Sequence, residues 1–277
     1  TYYYGHGRNW LGLGVLSEFD GAEVPSIEDL FPVFRESRFW QTDEGRYFGV
    51  PFTWLPWPLS YRADLVDRPT RWADLFEDEF AGKVAWVDDP VALITTAAIV
   101  LGLDPSRMTP SDLDQVKEWL LRLKRNTRII SPSYGDLLNT LVSGEAVAAF
   151  VGWQAFNVWG AEQGVEIDFV IPEDGYGISI DCYAVASTAD NRPTALAWLD
   201  LMISPGTQRA VATELLTGVV TPNALDGLPA DVAALYPYDE LESFLSSAQL
   251  HEIPWEEGGG YVTYEDWLAM WKEVQAA

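Results

Sequence analysis

Between Lys83 and Ile203 the chain alternates short apolar runs with capped blocks of helical length, and this alternation restricts its fold more than any other feature. Residues 83–87 (KVAWV), 146–152 (AVAAFVG), 168–171 (DFVI) and 182–186 (CYAVA) read as buried strands, too short for helices and apolar on both faces. Pro90 opens a helix over 91–101, which Gly102 ends. Thr109 begins an amphipathic helix whose apolar face carries Leu113, Val116, Leu120 and Leu123. Further helices are expected over 135–143, stopped by Gly144, and over 193–203, 205–217 and 263–276, the last with Thr263 as cap. Residues 47–61 (YFGVPFTWLPWPLSY) read as extended chain, because Pro51, Pro56 and Pro58 forbid a helix. Strands alternating with helices in this way specify an α/β fold with mostly parallel sheets.

The length of 277 residues argues for two lobes, since single cores stop growing at about 250–300 residues. With 48% hydrophobic and 13% aromatic residues the chain must bury a core. Its 17 basic and 42 acidic residues leave a net charge of −25. Such a chain repels phosphate backbones and anionic lipid surfaces, so nucleic acid is excluded as a partner and cationic ligands stay open. One cysteine, Cys182, rules out an internal disulfide and a cysteine-rich zinc site. His6 and His251 leave little for a histidine metal centre. There is no Walker loop, GxSxG, HExxH or CxxC motif, so neither catalysis nor a cofactor or metal is expected. Thr1-Tyr2-Tyr3-Tyr4 does not read as a signal peptide, which implies one removed or lying upstream.

The candidate chemistry lies at strand ends. Asp88-Asp89-Pro90 follows an apolar strand and opens a helix, the place where open α/β sheets bind ligands. Asp89 caps that helix on any reading, and the open point is whether a carboxylate also faces a ligand. Trp153 follows another buried strand and can offer a face to a cation or a sugar, although most of the 13 tryptophans must be ordinary core. Trp54 and Trp57 share that ambiguity. Asp181 stands at the start of an apolar strand, where a carboxylate costs several kcal/mol unless paired or hydrated, so an arginine or a bound cation is expected beside it. Glu256 and Glu257, before Gly258-Gly259-Gly260, read first as a solvated loop and second as a mobile carboxylate pair.

Taken in order, several segments resemble bacterial extracellular solute-binding proteins of ABC importers. They are Tyr47-Phe48-Gly49-Val50-Pro51 with Trp54, Ser60-Tyr61-Arg62-Ala63-Asp64-Leu65, Trp72-Ala73-Asp74-Leu75-Phe76, Phe80-Ala81-Gly82-Lys83-Val84, Asp88-Asp89, Leu141-Val142-Ser143-Gly144-Glu145-Ala146 and Pro172-Glu173-Asp174-Gly175. The spermidine/putrescine-binding subgroup is the most similar, from about Val15 to the C-terminus. The resemblance implies a two-lobed type II periplasmic-binding architecture with ligand clamped between lobes by hinge closure. It places residues 1–64 with 181–277 in the first lobe and 65–180 in the second, and implies that N-terminal strands of the first lobe precede Thr1. The site positions it implies are Asp89, Trp153 and Asp181, and Trp54 and Glu256 join them as candidate ligand-binding residues from the reading of the residues above. Three positions depart from the subgroup: Ala92 where a second acid is expected, Ser179 for an aromatic, and Val219 for a tyrosine.

The expected function is therefore capture of a small solute, a polyamine or other cationic amine, by a monomeric, non-enzymatic protein. Its partner would be an ABC permease in the membrane, and its location periplasmic, or extracellular and membrane-anchored. Two alternatives stand beside it. One is a binder of a different solute, such as an opine, an amino-acid derivative or a thiamine-like cation. The other is a hydrolase or transferase using Asp88, Asp89 or Glu256 as acid or base.

Overall fold

The computed structural model describes residues 1–248, 250–255 and 258–277. Glu256, one of the expected site residues, lies outside the described residues, as does Glu257. Among the described residues the strands are β1 (Tyr2–Tyr3), β2 (Val50–Pro56), β3 (Leu59–Arg62), β4 (Val84–Val87), β5 (Thr127–Ser131), β6 (Ala148–Phe150), β7 (Ile167–Val170) and β8 (Ile178–Tyr183). The chain divides into two compact units, Thr1–Leu55 with Ile178–Glu252, and Pro56–Gly177 with Ile253–Ala277. The terminal segment from Ile253 thus belongs with the second unit. The resemblance places it in the first, and the sequence of the terminal helix offers no check, since an amphipathic pattern shows that one face is buried but not against what.

The first unit carries a three-stranded sheet in the order β1-β8-β2. In β8 the buried positions Ile178, Ile180 and Cys182 alternate with half-buried Ser179, Asp181 and Tyr183, the period of two expected of a strand with one core face. Trp54 is wholly buried in this unit. Its ring centroid lies 5.1 Å from that of Tyr236 and 6.1 Å from that of Phe34, and its Nε1–H donates to the Val219 carbonyl at 2.9 Å. Trp54 is therefore a core residue with its faces and its one donor already used, which corrects its expected role in ligand binding.

The second unit is built on a five-stranded sheet, β5-β4-β6-β3-β7. β4 runs parallel to β5 and β6, whereas β3 runs antiparallel to both β6 and β7. The sheet is mixed rather than mostly parallel. β3 is the one antiparallel strand: it comes first of the five in sequence, with no strand–helix crossover from within this sheet leading into it, whereas helices connect β4 to β5, β5 to β6 and β6 to β7 in turn. Helices cover both faces. Ala85, Val87 and Ala149 pack with Leu137, Leu138 and Leu141 of the helix Tyr134–Val142 and with Phe156 of the helix Ala155–Glu162. On the other face Trp86 and Phe150 meet Trp72, Trp119 and Trp271, with ring centroids 4.9–6.1 Å apart. Alternate residues of each strand thus feed opposite layers. The helices Pro90–Val100 and Pro110–Lys124 connect β4 to β5, and the helix Tyr134–Val142 connects β5 to β6. β4 therefore lies where the connections change direction.

Candidate functional site

Trp86 of β4 stands opposite Phe150 of β6 in the parallel ladder. Asp89 follows Trp86, and Trp153 follows Phe150, by the same interval of three residues. A carboxylate and an indole consequently leave adjacent strands at one carboxyl edge of the sheet. This is the edge, at a change of connection direction, where open α/β sheets bind ligands.

Each side chain is held by its local backbone. Asp89 caps the helix Pro90–Val100, its Oδ1 accepting the Ala92 N–H at 3.1 Å. Burial raises its carboxyl above the usual carboxylate range; the backbone N–H groups of Ala92 and Val91 offset part of the shift, and the charge of Asp88 adds to it. Trp153 follows an unusual turn. Val151 is fully buried at φ 59°, a region that β-branched residues rarely enter. Gly152 then donates its N–H to the Pro58 carbonyl at 2.8 Å. A Cβ on Gly152 would lie 2.1 Å from the Ser60 hydroxyl oxygen, so only glycine lets the strand exit pass over β3. The half-buried Trp153 ring stands edge-on to Tyr134 at 5.9 Å and to Trp159 at 5.1 Å. Its indole N–H is buried and meets no acceptor among the described residues.

Sequence reasoning missed Tyr134 and Trp159. β5 was not recognised, because its residues are only partly covered and lack strict alternation. The usable signal was Ser133, whose hydroxyl accepts from Asp136 N at 3.1 Å and caps the helix that Tyr134 begins. Tyr264 is the half-buried first residue of the helix Tyr264–Ala276. Burial raises its phenol, and the nearby charge of Asp89 raises it further. The first unit holds a separate carboxylate, Asp181, half-buried on β8 beside β1. Burial raises its carboxyl, while hydrogen bonds from the Ser179 and Thr53 side chains pull the other way. No lysine or arginine pairs with it among the described residues. Of the departures noted above, Ser179 supplies one of the hydroxyls to Asp181, and buried Ala92 supplies only a backbone donor to Asp89.

Residues 8–235 match the family model described as bacterial extracellular solute-binding protein. The chain belongs to this family. Its members are solute-binding proteins of ABC transporters rather than enzymes. Spermidine/putrescine-binding periplasmic protein 1 of Haemophilus influenzae is 26% identical over 231 residues, covering 81% of this chain and 62% of that protein. The spermidine/putrescine-binding periplasmic protein of Escherichia coli is 24% identical over 212 residues, covering 76% of this chain and 59% of that protein. The chain thus spans less than two thirds of the length of these curated relatives. Among solved structures, the spermidine/putrescine substrate-binding protein PotD of Streptococcus pneumoniae matches with a TM-score of 0.76 at 16% identity, over 99% of this chain and 80% of that one. The likeness establishes the fold, that of type II periplasmic-binding proteins.

Proposed function

We propose that this family member captures a small cationic amine of the putrescine or spermidine class outside the cytoplasm and hands it to an ABC permease in the membrane, without chemical change. The observation that carries this reading is the pairing of Asp89 and Trp153 at equivalent exits of adjacent parallel strands. A protonated amine suits both groups. It restores the counter-charge that the half-buried carboxylate lacks, and its positive end or methylene chain packs on the indole face. Asp181 in the first unit is a second carboxylate of the same kind, with hydroxyl partners but no basic side chain. The polyamine-binding relatives support the ligand class, and the periplasmic ones the location.

A second reading, capture of a different small solute such as an amino-acid derivative or a thiamine-like cation, is favoured by Ala92 and Ser179, which stand where the subgroup places an acid and an aromatic. One calorimetric series separates the two. Putrescine, spermidine, agmatine, 4-aminobutyrate and thiamine are titrated into the purified protein, with each hit repeated on Asp89→Asn and Trp153→Leu. The polyamine reading requires putrescine or spermidine to bind most tightly and both variants to lose at least about tenfold, or ~1.4 kcal/mol. Tighter binding of thiamine or 4-aminobutyrate, or any turnover of the bound compound, would reject it.

A further inference from the structure

The two acids of the Asp88–Asp89 pair have different partners. Asp89 accepts backbone N–H groups at the start of its own helix. Asp88 instead reaches across to the terminal helix, its Oδ1 accepting the Trp271 Nε1–H at 2.8 Å and the Gln275 Nε2–H at 2.9 Å. Its backbone N–H continues the ladder to the Ser131 carbonyl at 2.8 Å. Two neutral donors on one carboxylate oxygen satisfy the charge without cancelling it, and fix the direction of the side chain.

The helix at the other end of this clamp is well secured. Trp271 is 3% exposed and stacks on Trp86 of β4 at 6.1 Å. The Lys124 ammonium donates to the last carbonyls of the helix, Val274 at 2.6 Å and Gln275 at 2.7 Å. Thr263 caps its first turn, and the Val262 N–H bonds to the Met108 carbonyl at 2.9 Å. A straight helix held at Trp271 fixes its first residue about 10 Å away, since each residue rises ~1.5 Å. That first residue is Tyr264, whose phenol feels the charge of Asp89. The Asp88 clamp therefore joins the strand exit that carries Asp89 to the terminal helix that Tyr264 begins.

We infer that Asp88 is a positioning residue of the amine site, tying the exit of β4 to the terminal helix through Trp271 and Gln275 and thereby fixing how that exit presents Asp89. The inference rests on the proposed amine-binding function. Asp88 Oδ1 is committed to the helix rather than to the amine.

Three substitutions test it. Asp88→Ala removes the acceptor, Asp88→Asn keeps an acceptor oxygen but loses the charge, and Gln275→Met removes one donor at an exposed position without opening the core. Putrescine and spermidine affinity is measured by calorimetry, and the Asp89 carboxyl is titrated by carbon-detected NMR without any amine. Asp88→Ala should lose at least tenfold in affinity, Asp88→Asn should recover most of that loss, and Gln275→Met should lose about threefold. The Asp89 midpoint should move in Gln275→Met, although that substitution changes no charge. Two results overturn the inference. Asp88→Asn as weak as Asp88→Ala would mean that its charge meets the amine directly, and wild-type affinity in Asp88→Ala would mean that the clamp is packing alone. A wild-type protein that binds neither amine would sink the proposed function by itself. In that event the Asp89 midpoint decides: a shift in Gln275→Met upholds positioning, and an unmoved midpoint overturns it.

Discussion

Asp181 and Asp89 are carboxylates that burial makes costly to ionise, and this gives each a double signature. A folded-state pKa above the unfolded value means that the folded protein binds more protons between the two values. The stability linked to each group is thus present below the unfolded pKa and is lost as pH rises through the folded one. Asp181→Asn should accordingly raise the melting temperature of the ligand-free protein at pH 7, with the gain fading in mild acid. The same substitution should weaken putrescine at least about tenfold, because the amine stabilises the charged form that folding disfavours. Melting curves at pH 4 and pH 7 beside calorimetry check both halves, and a melting temperature lowered at pH 7 would contradict the burial account. Trp153→Leu should cost a comparable factor in affinity, since a cation over a tryptophan face is worth up to about 2 kcal/mol. The carboxylates could be read in the sequence because an acid at the end of an apolar run has few reasons to be there. Trp54 misled for the opposite reason. Tryptophan suits a core as well as a ligand face, and only the Val219 carbonyl on its indole and the surrounding rings decide between them.

At the scale of elements, the helices Pro90–Val100, Pro110–Lys124 and Tyr264–Ala276 stand close to their expected bounds, because proline at the start and threonine or aspartate caps are local signals. The last strand is displaced. β8 covers Ile178–Tyr183 rather than 182–186, since its half-buried Ser179 and Asp181 break the apolar run that marks a strand buried on both faces. The helix Ala155–Glu162 went unread behind Trp153, lacking a side-chain cap at Gln154. The turn from β6 into that helix is the feature least visible in sequence, for nothing in Val151-Gly152 announces a positive φ at the valine. It is also the most exposed to test. Gly152→Ala would push a methyl group into the Ser60 hydroxyl and should cost about 1–3 kcal/mol by overpacking. Ser60→Gly in the same chain should recover part of that loss by removing the obstructing side chain. Denaturant midpoints of the two single variants and the double variant measure the coupling, and strictly additive losses would show that the clash is relieved elsewhere.

For the whole molecule, the sequence indicated two lobes from its length but could not place the terminal helix, whose partners Trp86, Asp88 and Lys124 are distant in sequence. The quantity legible without any structure is the net charge of −25. A field of that size attracts a polycation from beyond the site, and it acts on encounter rather than on the final contacts. Salt shortens its reach, from a Debye length of about 30 Å at 0.01 M to about 8 Å at 0.15 M. The half-buried carboxylates Asp89 and Asp181 are screened much less. The association rate of spermidine should therefore fall several-fold over that range while its dissociation rate changes little. Asp89→Asn should show the reverse pattern, a faster dissociation with an association rate close to that of the parent, because it removes one charge of many from the field but a direct contact from the complex. Stopped-flow tryptophan fluorescence at the two salt concentrations resolves both rates. A dissociation rate that carried most of the salt dependence would mean that the amine is held by exposed acidic surface, and would move the site away from Asp89 and Trp153.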